Sequence, residues 1–189
     1  MNVILIGFRG SGKSTVGKAL AERLGLEFID CDARIEEQTG ITIREIFEKH
    51  GETHFRTLES QALTELAKLD GKVIATGGGA PLKYQNMQVF KRQDSRIFFL
   101  EVGPDTAFAR MASDVATRER RPPLTDKDPL AEVQEQIAFR RPYYLKGADV
   151  TVHTEGRSVE EIVKEILAHL GTAGSDPRGE RHEGDPAPV

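Results

Sequence analysis

The chain has 189 residues, of which 38% are hydrophobic and 30% charged, a composition typical of one soluble globular domain. Its formal net charge of −4 argues against nonspecific binding of nucleic acid, which requires a basic surface. The single cysteine, Cys31, excludes an internal disulfide and a cysteine-based zinc site. No apolar run approaches the roughly 18 residues that span a bilayer, and no signal peptide is recognisable, so a cytoplasmic protein is expected.

Strands and helices are predicted to alternate along the chain. Residues 3–6 form a short apolar run that ends at Gly7, which is typical of a buried strand. Residues 13–24 then place apolar side chains on one helical face, and Gly25 follows at the position of a C-terminal cap. Later strands are predicted at 27–30, 73–75, 96–101 and 150–152. Helices are predicted between them at 33–38, at 42–69 with an interruption at Gly51, at 81–90 and at 104–111. A last helix is predicted from Ser158 to Leu170, with Glu161 completing a capping box. This alternation predicts an α/β fold, a three-layer sandwich with a five-stranded parallel sheet.

Two segments depart from the alternation. Residues 114–129 carry four arginine or lysine residues and three prolines, and they are expected to form a long mobile loop. Residues 171–189 contain almost nothing that could enter a core, and they are expected to be a disordered tail. The expected domain therefore covers residues 1–170, with a lid at about 112–129. The pattern assigns no element to residues 130–149.

The stretch from Gly7 to Ser14 matches the pattern G-x-x-x-x-G-K-[ST], which binds nucleotide phosphates. Its glycines let the backbone curl so that N–H groups point inward, and the following helix adds its positive N-terminal end. Lys13 is expected to reach the β- and γ-phosphates, and the Ser14 hydroxyl to ligate Mg²⁺. A glycine-rich turn with a surface lysine is the simpler alternative, but the strand before the motif and the helix after it favour phosphate binding. The predicted ATP contacts in this loop are Gly10, Ser11, Gly12, Lys13, Ser14 and Thr15.

A nucleotide site leaves three classes of protein open, namely a small-molecule kinase, a GTPase switch and an ATPase module of a larger assembly. A GTPase should carry N-K-x-D for guanine, and the nearest segment, residues 125–128, lacks the asparagine. The hydrophobic strand ending in an acidic pair, which an ATPase motor usually needs, is absent from the sequence. The compact chain and its arginine-rich loop favour a kinase, because such a loop can close over the phosphates and exclude water.

Four motifs, in the right order, resemble those of the shikimate kinase family. They are the phosphate loop, then FIDCDARIEEQTG, then FRTLES followed by TGGGAP, and finally RRPPL in the lid with RRPYY before the last strand. The resemblance covers about residues 1–170. It implies a P-loop kinase fold with a mobile lid and ATP-dependent phosphorylation of the 3-hydroxyl of shikimate. The products would be shikimate 3-phosphate and ADP, on the pathway to chorismate and aromatic amino acids.

The resemblance also implies an acceptor site. Arg56 and Arg140 match the family's two arginines that clamp the shikimate carboxylate, and a planar guanidinium suits bidentate binding of carboxylate. Asp32 would bind the reacting hydroxyls and is a candidate proton acceptor. Gly78 and Gly79 would let the backbone approach the ring, since a Cβ there would intrude.

Further residues are assigned to the nucleotide and metal by the same resemblance. Asp30 is similar to the family's residue near the Mg²⁺ shell, and Arg110 to the arginine that stacks on adenine. Arg121 matches the lid arginine that reaches the phosphates, so the implied catalytic set is Lys13, Asp32 and Arg121. Glu59, one turn after Arg56, is expected to orient that arginine by an i,i+3 contact.

Simpler explanations exist for several of these residues. Asp30 or Asp32 could cap a helix, and Arg140 and Arg141 could form a surface pair, with motif register alone selecting Arg140. The lid reads R-P-P-L where the family more often has R-P-L, which leaves the register of the lid arginine open.

The alternative functions are a gluconate kinase-like sugar-acid kinase and a non-catalytic nucleotide-binding module. Shikimate and ATP are the expected small-molecule partners, with Mg²⁺ as cofactor. The chain is expected to be a monomer that binds neither nucleic acid nor membrane.

Overall fold

A parallel sheet lies at the centre of the structure, a computed structural model that describes residues 1–91, 93–113 and 128–172. Its strands are β1 (Asn2–Ile6), β2 (Glu27–Asp30), β3 (Lys72–Ala75), β4 (Ser95–Glu101) and β5 (Val150–His153). The order across the sheet is β2-β3-β1-β4-β5, and each neighbouring pair is parallel. All five strands therefore end at the same edge of the sheet, where ligands of parallel α/β proteins bind.

Helices cover both faces of this sheet. They are α1 (Lys13–Leu24), α2 (Cys31–Thr39), α3 (Ile43–Leu66), α4 (Tyr84–Lys91), α5 (Pro104–Ser113), α6 (Pro129–Gly147) and α7 (Val159–Thr172), with a 3₁₀ turn at Ala80–Leu82. One core cluster joins the sheet to α1 and α7, and the other joins it to α2 through α6. The predicted three-layer α/β sandwich with a five-stranded parallel sheet is confirmed.

The first strand shows why its sequence is continuously apolar. Ile4 and Ile6 belong to one core cluster, whereas Val3 and Leu5 belong to the other, because successive side chains of a strand point to opposite faces. All four side chains are fully buried. A strand covered on both faces therefore has no position for a polar side chain within this run.

Helix boundaries follow local signals that the sequence contains. Thr42 and Glu45 form a reciprocal capping box at the start of α3. Gly51 interrupts the same helix with φ 79° and ψ 171°, as predicted. Ser158 and Glu161 form the predicted capping box before α7, with Ser158 N–H donating to the Glu161 carboxylate at 2.8 Å.

Several element boundaries differ from the prediction, and two of the differences have an identifiable local cause. Helix α2 begins at Cys31 rather than residue 33, because the Asp30 side chain already caps it. The predicted helix at 81–90 is divided, since Lys83 adopts extended dihedral angles between the 3₁₀ turn and α4. The last helix extends to Thr172, two residues past the predicted end and into the segment predicted to be a tail.

Helix α6 was not predicted at all. Pro142 lies inside it and lacks the N–H that would donate to the carbonyl of Ala138, so the sequence argues against a helix there. The helix nevertheless begins well, with the Asp128 side chain accepting from Leu130 N–H at 3.2 Å. Val133 and Tyr144 bury its inner face in the core. Tertiary packing therefore outweighs the local cost of the proline.

Most of the predicted loop and tail lies outside the described residues. This applies to 114–127, which includes Arg121, and to 173–189. Residues 112 and 113 belong to α5, and Pro129 begins α6. Within the ranges that the structure covers, no helix is both long and apolar enough to cross a bilayer.

Gly17→Ala should destabilise the fold, although alanine favours helix by about 1 kcal/mol over glycine. A Cβ at residue 17 would overlap the ring of Phe28 on β2. We expect the free energy of unfolding, measured by urea denaturation, to fall by about 1–3 kcal/mol. Gly171→Ala is the matched control, because a Cβ there meets no atom within 4 Å. Equal effects of the two substitutions would contradict this account of α1 packing.

Candidate active site

The phosphate loop joins β1 to α1 at the carboxyl edge of the sheet. Gly10 has φ 77°, and a Cβ there would lie 2.7 Å from the carbonyl oxygen of Ala107, so only glycine fits. Gly12 has φ 92° and forms the N-cap of α1. No side chain caps this helix, which leaves its first N–H groups and its positive end directed at the loop. The loop therefore has the glycine conformations and the uncapped helix start that the predicted anion cradle requires, and phosphate binding there stays a prediction.

Side chains of the loop divide between its interior and its surface. Lys13 Nζ donates to the carbonyls of Gly7 and Phe8, at 2.9 Å each, which holds its charge inside the curve of the loop. Ser11 is completely buried beneath the loop, whereas Ser14 and Thr15 are exposed at the start of α1. The loop therefore offers one fixed cation and two accessible hydroxyls.

Two aspartates follow β2, and the structure gives them different tasks. Asp30 caps α2 by accepting from the N–H groups of Asp32 and Ala33 at 3.0 and 3.4 Å. Its second oxygen accepts from Ser14 Oγ at 2.8 Å. Asp32 lies in the first turn of α2, with Oδ1 2.9 Å from the position that a Cβ of Gly77 would occupy. Capping therefore falls to Asp30, and Asp32 faces the glycine segment after β3.

Arg56 is held by two carboxylates on α3. Nη1 donates to Glu59 at 2.8 Å, the i,i+3 contact predicted from the sequence, and Nη2 donates to Glu52 at 3.0 Å. Burial lowers the pKa of the Arg56 guanidinium, but Glu59 and Glu52 together outweigh it, and the net pKa is raised. Arg56 is therefore a permanently charged group with a fixed orientation.

The glycine segment after β3 packs against these side chains. A Cβ on Gly79 would overlap the Arg56 guanidinium, 2.7 Å from Nη2. A Cβ on Gly77 would lie 2.5 Å from Glu59 Oε1. At Gly78 the nearest atom would be the carbonyl oxygen of Gly7, at an ordinary 3.5 Å. Two of the three glycines thus leave room for charged side chains of the site itself, and the third brings the segment against the phosphate loop.

Adjacent arginines on α6 have different surroundings. The Arg140 guanidinium carbon lies 5.4 Å from the centre of the Phe8 ring, in the phosphate loop. Arg141 Nε instead donates to Glu101 at 2.6 Å, and the same carboxylate lies 3.1 Å from His153 Nδ1. The helix therefore directs Arg140 to the phosphate loop and ties Arg141 to the end of β4.

Arg110 lies across the far side of the phosphate loop. Its Nη1 donates to the Gly10 carbonyl at 3.1 Å, and its Nη2 donates to the Thr154 carbonyl at 3.3 Å. The guanidinium thus bridges the loop and the segment that follows β5. Arg121, the other arginine assigned to the nucleotide, lies outside the described residues.

Cys31 is a packing residue behind the site. Its side chain is completely buried, and burial raises the pKa of the thiol well above its ordinary value. Such a thiol is a poor nucleophile at neutral pH. In the part of the chain described here, no three histidine, cysteine, aspartate or glutamate side chains are grouped to hold a metal ion by themselves.

Sequence reasoning missed two residues of this region. Phe8 had no assigned role, yet it is 2% exposed and contacts Arg140. Tyr144 donates from its buried hydroxyl to the carbonyl of Gly78 at 2.6 Å, and its ring stacks on Phe99. The four-residue spacing between Arg140 and Tyr144 would have indicated a shared helix face, but no helix was predicted there.

The sequence and the fold of this chain have clear matches among known proteins. A family model described as shikimate kinase matches residues 9–171. The chain belongs to the shikimate kinase family. A shikimate kinase from Symbiobacterium thermophilum is 39% identical over 181 residues, covering 96% of this chain and 99% of that protein. The solved structure of a shikimate kinase from Acinetobacter baumannii in complex with shikimate has a TM-score of 0.83 and 36% identity, covering 91% of this chain and 93% of the other.

The alternative sugar-acid kinase is represented among the structural neighbours. A gluconokinase from Sinorhizobium meliloti 1021 has a TM-score of 0.54 and 21% identity, covering 91% of this chain and 92% of the other. That likeness shows a fold shared with the shikimate kinase family and nothing about the acceptor.

Tyr144→Phe should weaken the fold of this shikimate kinase family member, because it leaves the Gly78 carbonyl without its buried donor. The free energy of unfolding should fall by about 1–3 kcal/mol in urea denaturation. Tyr143→Phe is a control on the same helix, since Tyr143 is 39% exposed and should change stability by less than about 0.5 kcal/mol. A Tyr144 variant as stable as the control would contradict the role of this hydrogen bond.

Proposed function

We propose that this chain phosphorylates shikimate by holding its carboxylate between Arg56 and Arg140 and its reacting hydroxyl beside Asp32. The reaction is that of its family, transfer of the γ-phosphoryl group of ATP to the 3-hydroxyl of shikimate, giving shikimate 3-phosphate and ADP. It is a step of the pathway to chorismate and the aromatic amino acids. One observation carries the proposed roles: the acceptor residues lie directly against the phosphate loop, with Gly78 beside Gly7 and Arg140 on Phe8.

The two arginines suit the acid group of the acceptor in complementary ways. Arg56 is oriented by Glu52 and Glu59 before any substrate arrives. Arg140, by contrast, has no carboxylate within ion-pair distance among the described residues. A charge that is positioned but not neutralised favours an incoming carboxylate. We assign Arg140 as the principal cation for the shikimate carboxylate and Arg56 as its preoriented second contact.

Asp32 is the proposed partner of the reacting hydroxyl. Its Oδ1 faces the glycine segment rather than the helix cap, so it is directed to the side where the ring would lie. In the transfer step the 3-hydroxyl oxygen bonds to the γ-phosphorus, and the bond from that phosphorus to the β-phosphate oxygen breaks. ADP takes the electron pair, and the hydroxyl proton passes to the Asp32 carboxylate. Positioning and charge stabilisation supply most of the catalysis in such reactions.

The nucleotide is proposed to lie along residues 7–15. The N–H groups of the loop, that of Ser11 included, and the Lys13 ammonium would bind the β- and γ-phosphates. Arg110 would stack on adenine at the edge formed by Gly10 and Thr154. For Arg121, outside the described residues, contact with the phosphates stays a prediction from the lid motif.

Ser14 and Asp30 are the proposed residues for Mg²⁺. Their oxygens lie 2.8 Å apart, and a hydroxyl with one carboxylate suits an ion that takes its remaining ligands from phosphates and water. When bound, the ion supplies neutralisation of the phosphate charge. A cytoplasmic location, a monomeric state and the absence of nucleic-acid or membrane binding stay predictions from the sequence.

Acceptor choice is tested by ADP release in a coupled assay with shikimate, with gluconate and with no acceptor. We expect turnover with shikimate at least about 100-fold above that with gluconate, since two oriented arginines favour a rigid acid and each 1.4 kcal/mol counts tenfold. Turnover with gluconate but not with shikimate would contradict the proposal. ATP binding without acceptor-dependent turnover would favour a non-catalytic module.

Arg140→Ala should raise the shikimate KM by about 10- to 100-fold and leave the ATP KM nearly unchanged, because it removes charge-assisted hydrogen bonds to the acceptor only. Arg141→Ala is the matched control, since Arg141 pairs with Glu101 and should leave both constants within about twofold of the parent. Equal effects of Arg140→Ala on the two KM values would remove Arg140 from the acceptor site.

A further inference from the structure

Phe8 occupies a position in the phosphate loop where the motif requires no particular side chain. Glycine and polar residues surround it, yet its ring is 2% exposed and belongs to the core cluster on the α6 side of the sheet. A large aromatic ring buried in a ligand-binding loop needs a further reason. The neighbouring guanidinium supplies one.

Arg56, Arg140 and Arg141 differ in whether a carboxylate of the described residues holds them, although Arg56 also lies over a ring, 5.2 Å from the centre of Phe55. Arg56 and Arg141 are held by carboxylates, at 2.8 and 2.6 Å respectively. Arg140 lies over the Phe8 ring, 5.4 Å from its centre. An aromatic face attracts a cation and restricts its orientation, but it does not neutralise the charge or occupy the N–H groups as a carboxylate does. The ring is thus a support that leaves Arg140 available for an anionic ligand.

Phe8 also contacts Lys13, the cation of the phosphate site. Its carbonyl oxygen accepts from Lys13 Nζ at 2.9 Å. The same residue therefore meets the lysine of the phosphate site through its backbone and the arginine of the acceptor site through its ring. The separation between the two cations depends on where this one residue lies.

We propose that Phe8 is a positioning residue. Its ring orients Arg140 toward the acceptor carboxylate, and its place in the phosphate loop fixes the distance between the acceptor site and the phosphate site. The inference rests on the proposed role of Arg140 in binding the carboxylate. A fixed distance between Lys13 and Arg140 would favour one kind of acceptor. That acceptor is an acid in which a ring holds the carboxylate and the reacting hydroxyl at a fixed separation. Phe8 acts through Arg140 and not by touching the reacting atoms.

The test is a double-mutant cycle with Phe8→Leu, Arg140→Ala and the double variant, measured as KM for shikimate, KM for ATP and kcat. Phe8→Leu should raise the shikimate KM by about 3- to 30-fold, the range of a cation–π contact, and leave the ATP KM within about twofold. In the Arg140→Ala background, Phe8→Leu should change the shikimate KM by less than about twofold. Phe8→Tyr keeps the aromatic face and should restore most of the affinity.

The effect of Phe8→Leu on the two KM values, with and without Arg140, decides whether Phe8 acts through Arg140. If Phe8→Leu raises the shikimate KM by the same factor with and without Arg140, the two residues act independently and the inference is overturned. An equal rise of both KM values would indicate general damage to the loop, and it too would overturn the inference. If Arg140→Ala itself leaves the shikimate KM unchanged, the proposed role of Arg140 fails first and this inference fails with it. A thermal melt of each variant, at saturating ATP, identifies any loss of folded protein.

Discussion

The parallel pairing of β1 with β3 is the contact on which the candidate site depends. Leu5 pairs with Ala75, and just beyond this pair the N–H of Thr76 donates to the Leu5 carbonyl at 3.0 Å. Both strands consequently end at the same level of one sheet edge. The phosphate loop and the glycine segment 77–79 leave that edge side by side, which places the proposed ATP site next to the proposed acceptor site.

Charge at this edge is arranged by the partner that each arginine has. Arg56 combines a permanent charge with a fixed direction, because Glu59 is almost fully buried beside it. Arg141 is withdrawn to the end of β4 by Glu101. Arg140 lies over the Phe8 ring, and no carboxylate of the described residues is within ion-pair distance of it. Three chemically identical side chains thus differ in how much of their charge is available to a ligand, and the difference arises from their neighbours.

Features that depend on a few adjacent residues could be predicted from the sequence. The phosphate loop, the interruption at Gly51 and the Ser158 cap each rest on a short pattern with a local physical cause. The apolar strands were predictable for the same reason. Since parallel strands carry their ligands at one edge, the approximate place of the site followed from their order.

Features that depend on distant packing could not be predicted in this way. Helix α6 contains Pro142 and gains its stability from burying Val133 and Tyr144 against other elements. Without the helix, only the register of the family motif could select Arg140 over Arg141, and no physical pattern supported that choice. Its rotation is a property of the whole core, and so is the burial of Phe8.

Asp30 links two parts of the site that are usually considered separately. One of its oxygens accepts from Ser14 at the start of α1, and the other fixes the first turn of α2, which carries Asp32. The proposed metal ligands and the proposed acceptor residue Asp32 are therefore connected through a single carboxylate. If Asp30 holds the ion as proposed, a replacement at residue 30 chosen to alter ion preference would also disturb the first turn of α2, which carries Asp32. Substitutions among the residues around Ser14 would leave the hydrogen bonds between Asp30 and α2 intact.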